Sequence, residues 1–161
     1  MLGQDDIEQI HEDLGSLIRV GTVSSIAPGQ ATARVLFEDR DDLVSYDLPI
    51  LQRNTGQTRD YYMPDVGEKV ACIFLGTGTE AGLIVGGLYD EQNPPAQTNP
   101  DIREVSFSDG TIVRYNRGSS ELDIDAVGEV HIKSAVHITI DAPIIRLSGS
   151  ALELDITGDA T

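Results

Sequence analysis

The chain has 161 residues, enough for one domain or two small ones. Its 27 acids against 11 Lys and Arg give a formal charge of −16, which argues against nucleic-acid binding, since that needs a basic footprint, and against attraction to anionic membrane surfaces. A single cysteine, Cys72, rules out an intrachain disulfide, and an aromatic share of 5% without tryptophan suits regular β packing among Ile, Leu, Val and Ala.

Residues 1–6 carry neither the basic nor the apolar region that opens a secretory signal. No apolar stretch approaches the ~18 residues of a membrane span. Ile7, Ile10, Leu14 and Leu17 then recur at helical spacing and mark one apolar stripe. The spacing predicts a short N-terminal helix within residues 1–17, capped by Asp5 or Asp6 and weakened at Gly15. Its stripe must pack either on its own domain or against another subunit.

Residues 18–90 change period. Alternation predicts strands over 19–26 and 31–37, joined by the turn sequence Ala27-Pro28-Gly29-Gln30. A third strand is expected over 43–50, closing at Pro49, followed by a polar loop over 52–60 that holds Asn54 and Gly56. Two more strands are expected over 69–75 and 83–89, separated by Gly76-Thr77-Gly78-Thr79. Five short strands with little helix fit a small Greek-key barrel of the OB type; by strand count alone they also fit a sandwich. Cys72 sits in the apolar run 70–75 and reads as a buried structural thiol. Residues 91–101 contain Asn93-Pro94-Pro95 and Asn99-Pro100 and read as a Pro-rich linker.

Residues 102–161 form the most patterned region. After the turn sequence Ser108-Asp109-Gly110, short alternating segments follow one another, beginning about eight residues apart. Their apolar positions are Leu122 and Ile124; Val130 and Ile132; Val136, Ile138 and Ile140; Ile144 and Leu147; Leu152, Leu154 and Ile156. The alternate positions are mostly charged, among them Asp123, Asp125, Glu129, Lys133 and Asp141. A strand with one apolar face must bury that face. Two arrangements do so: a β-solenoid within one chain, or a winding of several copies about a common axis. In the second, the twelve apolar residues form the core of a trimer.

The residues in order then resemble a known family. Ile18-Arg19-Val20-Gly21-Thr22-Val23 is similar to the opening barrel strand of the phage baseplate assembly protein V and the related VgrG spikes of type VI secretion. Pro64-Asp65-Val66-Gly67-Glu68-Lys69-Val70 resembles the family's Pro-x-x-Gly-Glu-x-Val element. Gly82-Leu83-Ile84-Val85-Gly86-Gly87-Leu88-Tyr89-Asp90 with Asn93-Pro94-Pro95 resembles its Gly-x-Val-x-Gly-x-Leu-Tyr-Asn signature and the Pro-Pro that follows. Phe107-Ser108-Asp109-Gly110-Thr111 resembles the start of its needle. Where the family often has Trp before Pro-x-x-Gly-Glu, this chain has Tyr61 and Tyr62.

The resemblance implies an all-β homotrimer, with an N-terminal helix (1–17), an OB-fold barrel (18–90), a linker (91–101) and a triple-stranded β-helix needle (102–161). It implies a structural central spike of a contractile injection machine that pierces the host outer membrane. The expected partners are two further copies, baseplate hub and tail tube proteins, and a separate tip protein at the C-terminal end; nucleic acid is not among them. The expected place is the virion tail baseplate, after synthesis in the bacterial cytoplasm without a signal peptide.

No catalytic set stands out, and the chain is expected not to be an enzyme. His131 and His137 lie six apart, on one outward face of β structure; the third histidine is His11. Family spikes often end in a His-x-His element that binds iron on the axis; this chain has no such element, so no metal or other cofactor is expected. Gly76-Thr77-Gly78 lacks the Lys of a phosphate loop. An OB-type oligosaccharide-binding module is the alternative function, weakened by the few aromatics. A β-solenoid polysaccharide lyase is the third, weakened by short length.

Overall fold

Strand β1 (Ile18–Ala27) sends Arg19, Gly21 and Val23 inward and Ile18 and Val20 outward, the period-2 alternation of a half-buried strand. It belongs to a computed structural model that describes residues 17–75 and 81–149. The chain divides between Thr98 and Asn99 into two units.

The first unit is a closed β sheet. Strands β2 (Thr32–Phe37), β3 (Leu43–Val44), β4 (Leu48–Pro49), β5 (Lys69–Phe74) and β6 (Gly82–Gly87) join β1 in the order β3-β2-β1-β5-β6, with β4 also on β2. The sheet closes where the chain beyond β4 reaches β6. Ile50 bridges Ile84 in parallel, and the Leu51 N–H donates to the Ile84 carbonyl at 2.8 Å. This contact closes the sheet beyond β4 and favours a barrel over a sandwich, while β3 pairs only with β2.

The expected strand over 43–50 is two short pieces. Ser45 interrupts it: its N–H donates to the Val35 carbonyl at 2.8 Å, and its Oγ accepts from the Val35 N–H at 3.0 Å and donates to the Tyr46 carbonyl at 2.8 Å. A serine side chain thus takes the place of a ladder partner. The turn after β1 is as its sequence suggests, a single 3-10 turn at Pro28–Gln30 with Ala31 left-handed at φ 52°.

Every buried apolar side chain among the described residues lies in this unit. Phe37 and Phe74 pack edge to face at 5.7 Å, surrounded by Val23, Val35, Leu48, Val70 and Ile84. Each such aromatic stabilises the fold by about 1.5–3 kcal/mol on burial. The Arg19 guanidinium lies over the Phe74 and Phe37 rings, 5.2 and 5.8 Å from their centroids. That geometry lets a cation sit near a barrel core. Cys72 is fully buried there as expected, and burial pushes its thiol up to about 11.

The second unit carries an antiparallel meander, β7 (Ile102–Ser106), β8 (Ile112–Asn116) and β9 (Glu121–Asp125). The β7–β8 hairpin turns at Ser108-Asp109-Gly110, where the Asp109 carboxylate accepts from the Thr111 N–H at 2.8 Å. The β8–β9 hairpin is fastened by Asn116, whose Oδ1 accepts from the Gly118 N–H at 2.9 Å.

Residues 126–149 follow without a strand of their own. The segments expected to be strands around Val130–Leu147 therefore find no ladder partner within the chain among the described residues. The expected helix lies outside the described residues except for Leu17, as do Gly76-Thr77-Gly78-Thr79 and the last apolar group, Leu152, Leu154 and Ile156. Among the described residues no helix is long and apolar enough to cross a membrane.

Candidate interaction surface

Strand registry sorts the meander into two unlike faces. On one, Val105, Val113 and Ile124 form a row across three strands, and Arg103, Tyr115 and Leu122 form the next. Cross-strand partners share a face, so five of these six side chains make one apolar surface. All of it is exposed in the single chain, with Ile124 at 63% and Leu122 at 64%. On the other face Arg114 stands between Glu104 and Asp123, at 3.6 and 3.5 Å. The second face thus carries a charge-paired centre and a net negative charge, with Glu121 and Asp125 beside it, and the apolar face is left exposed among the described residues.

The exposed apolar series continues along the chain. Val130, Ile132, Val136, Ile138, Ile140, Ile144 and Leu147 are each more than half exposed. Of the expected trimer-core residues, the meander aligns only Leu122 and Ile124 with partners; the other described ones stand on a segment without in-chain ladder bonds. Large exposed apolar surfaces are a mark of interaction sites on soluble proteins, which makes this series the candidate interaction surface. Beside it, His131 Nε2 lies 3.0 Å from Glu129 Oε2 with both side chains exposed, and His137 is exposed. Among the described residues no group of three or more His, Cys, Asp and Glu is placed to hold a metal ion.

The barrel motifs have structural work. Gly67 has φ 93°, a conformation that glycine adopts without strain, and its N–H donates to the Val23 carbonyl at 2.9 Å. The Glu68 carboxylate accepts from the Asp65 N–H at 3.0 Å and occupies the space that a side chain on Gly87 would need. Gly86 faces open space, and the bulge in this ladder falls at Val85, opposite the Ala71–Cys72 step. Asp90 ties the chain's exit from the barrel. Its carboxylate accepts from the Asn93 N–H at 2.7 Å and the Gln92 N–H at 3.0 Å, with Lys69 Nζ at 3.7 Å. The Asn93 bond, despite opposing burial, holds the Asp90 carboxyl below its usual range, with Gln92 and Lys69 adding to it.

The loop with Tyr61 and Tyr62 is braced internally. The Gln52 amide donates to the Tyr62 carbonyl at 2.8 Å and accepts from the Tyr62 N–H at 3.1 Å. Asn54 Nδ2 donates to Asp60 at 3.1 Å, and Arg53 lies 3.6 Å from the same carboxylate. These polar groups serve the loop's own shape.

Residues 19–89, from the start of β1 to just past β6, match the type VI secretion system/phage-baseplate injector OB domain. The barrel is an injector OB domain. The chain is also similar to a spike protein of Escherichia phage P2, 21% identical over 145 residues, or 90% of this chain and 67% of the relative. The two matches are to an injector domain and to a spike protein, and together they support a baseplate spike family.

Two features of the injector OB domain escape a reading by periodicity. Arg19 lies buried on an inward position, where alternation alone predicts an apolar residue. Gly21 also points inward: a Cβ there would stand 2.5 Å from the Leu36 carbonyl oxygen and 2.6 Å from Val35 Cγ1. The signal for the meander's faces was present as Glu104, Arg114 and Asp123 at alternate positions, but it required the register to join them.

Proposed function

We propose that the protein is the central spike of a contractile injection machine, in a phage tail, an R-type bacteriocin or a related system. Three copies associate. Their OB barrels form a collar against baseplate hub and tail tube proteins, with residues 1–17 as a short helix and 91–101 as the linker. Residues 102–161 of the three chains wind about one axis as a triple-stranded β-helix, burying Leu122, Ile124, Val130, Ile132, Val136, Ile138, Ile140, Ile144, Leu147, Leu152, Leu154 and Ile156. A separate tip protein caps the C-terminal end. Sheath contraction drives this needle through the host outer membrane, and the spike acts mechanically, without catalysis. The place of action is the virion tail baseplate.

One observation carries the reading: Val105, Val113, Tyr115, Leu122, Ile124 and the apolar positions from Val130 to Leu147 stand exposed while residues 126–149 have no in-chain ladder. Further copies would supply ladder partners for the backbone and cover for the exposed apolar side chains. A shared apolar axis also offsets the repulsion among chains that each carry −16. Interchain hydrogen bonds along it make local opening costly, so axial force is transmitted.

Light scattering on the full chain tests the proposal. The expected mass is that of a trimer; a monomer or any other stoichiometry overturns it.

A further inference from the structure

The outer face of β1, β5 and β6 is apolar where a solvated barrel face alternates to polar residues. Ile18 stands opposite Ile73, and Ile73 opposite Leu83; in the next row Val20 stands opposite Ala71. Val85, at the bulge, adds to the same region. None of these positions is charged, and the first cation is Lys69, one rung further at Thr22. Ile18 is 66% exposed and Val20 47%.

We infer that this face is the dock of the chain's own residues 5–17, lying as a helix across β1, β5 and β6 of the same barrel. The segment runs directly into the patch: Leu17, just before Ile18, is helical and half-buried. Its Ile7, Ile10, Leu14 and Leu17 lie on one helical stripe that must be buried somewhere. The dimensions agree, since β1 to β6 spans two strand spacings, about 10 Å, and a helix with side chains is about 10 Å across. Asp5, Asp6, Glu8, Glu12 and Asp13 make the rest of the segment acidic; Glu38 and Asp39 border Ile18, Val20 and Thr22 on the β2 side, so the uncharged rows lie toward β5 and β6. The inference rests on the helix proposed above and is independent of the trimer.

The chain has no tryptophan, so one introduced indole reports a single position. Ile10→Trp places it in the stripe and Glu12→Trp on the opposite side of the helix. The expected result in the full chain is blue-shifted emission shielded from iodide for Ile10→Trp, and solvent-like emission for Glu12→Trp. Adding Val20→Lys or Val85→Lys to Ile10→Trp is expected to abolish the shift while circular dichroism shows the barrel still folded. Solvent-like emission from Ile10→Trp, equal shielding at both positions, or a shift that survives both lysines overturns the inference.

The choice of the same barrel has its own test. In a Cys72→Ala background, Leu14→Cys is paired in turn with Ile18→Cys, Val20→Cys and Ile73→Cys. A disulfide within one chain, seen as single-chain mass under denaturing conditions, is expected for at least one pair. A two-chain product, or no bond in any pair, overturns it. Light scattering on the same samples shows separately how the trimer reading fares.

Discussion

Val113 stands opposite Ile124 across the β8–β9 ladder, and both side chains point to a face that the described residues leave exposed. Turned through one residue, the same strands present Arg114 between two acids. The meander therefore has an inside and an outside, although alone it has nothing to enclose.

Charge on the covered side is expected to block assembly. Ile124→Asp or Ile138→Asp would place a carboxylate per chain against the proposed trimer axis, at about 3 kcal/mol or more for each uncompensated buried charge. Light scattering is expected to give loss of the trimer with the barrel still folded. Lys133→Asp, on an alternate position, is expected to leave the mass unchanged. A fully trimeric Ile138→Asp variant counts against the wound needle.

Gly21→Ala is expected to strain the barrel core, because its Cβ would meet the Leu36 carbonyl oxygen at 2.5 Å and Phe37 Cδ1 at 2.8 Å. The cost is about 1–3 kcal/mol, the usual range for overpacking. A domain of this size loses roughly 4–8 °C in Tm for each kcal/mol. Gly86→Ala, with nothing within 4 Å, serves as the control and is expected to melt close to the parent. Calorimetry on both variants decides it.

The turn at Asp90 is expected to give the barrel an acid-sensitive component. The folded Asp90 carboxyl ionises below its ordinary value of 3.8, because it accepts backbone N–H bonds. Its contribution is present above that value and is lost as pH falls through the lower folded one. The Arg34–Asp47 pair at 2.8 Å adds to this in the same direction, through the hydrogen bond that lowers Asp47. Asp90→Asn keeps an acceptor for the turn and is expected to cost less than Asp90→Ala. Both variants should show a smaller loss of Tm between pH 5 and pH 3 than the parent, as measured by scanning calorimetry.

Cys72 is expected to resist thiol reagents in the folded chain and to react fully in denaturant. Burial raises its folded value to about 11 from 9.0. The neutral thiol is what the fold favours, so this contribution is intact below pH 9 and disappears as pH rises toward 11. Rapid labelling of the native chain near neutral pH would contradict the fully buried position.

How far the sequence carries differs between the two units. Alternation located β1, β2, β5 and β6 to within a residue or two, because one face of each meets a packed core. It failed over 43–50, where the side chain of Ser45 substitutes for strand pairing, a local bond that no periodicity encodes. It also passed over Arg19, since a buried guanidinium between Phe37 and Phe74 depends on rings from the two strands that flank β1, β2 and β5. Beyond Asp125 the apolar alternation was plain, but alternation specifies which face is to be covered and not what covers it. The sequence could therefore name the surface from Val130 to Leu147 without fixing its partner.

The confinement of buried side chains to the barrel unit has a kinetic consequence. Val23, Phe37, Val70 and Phe74 can come together within one chain, so the barrel should refold at a rate independent of protein concentration. Residues 102–149 bury no apolar side chain of their own, and in the proposed trimer the ordering of residues 126–149 would wait on encounters between chains. Refolding should therefore show a first-order phase followed by one that quickens as the solution is made more concentrated.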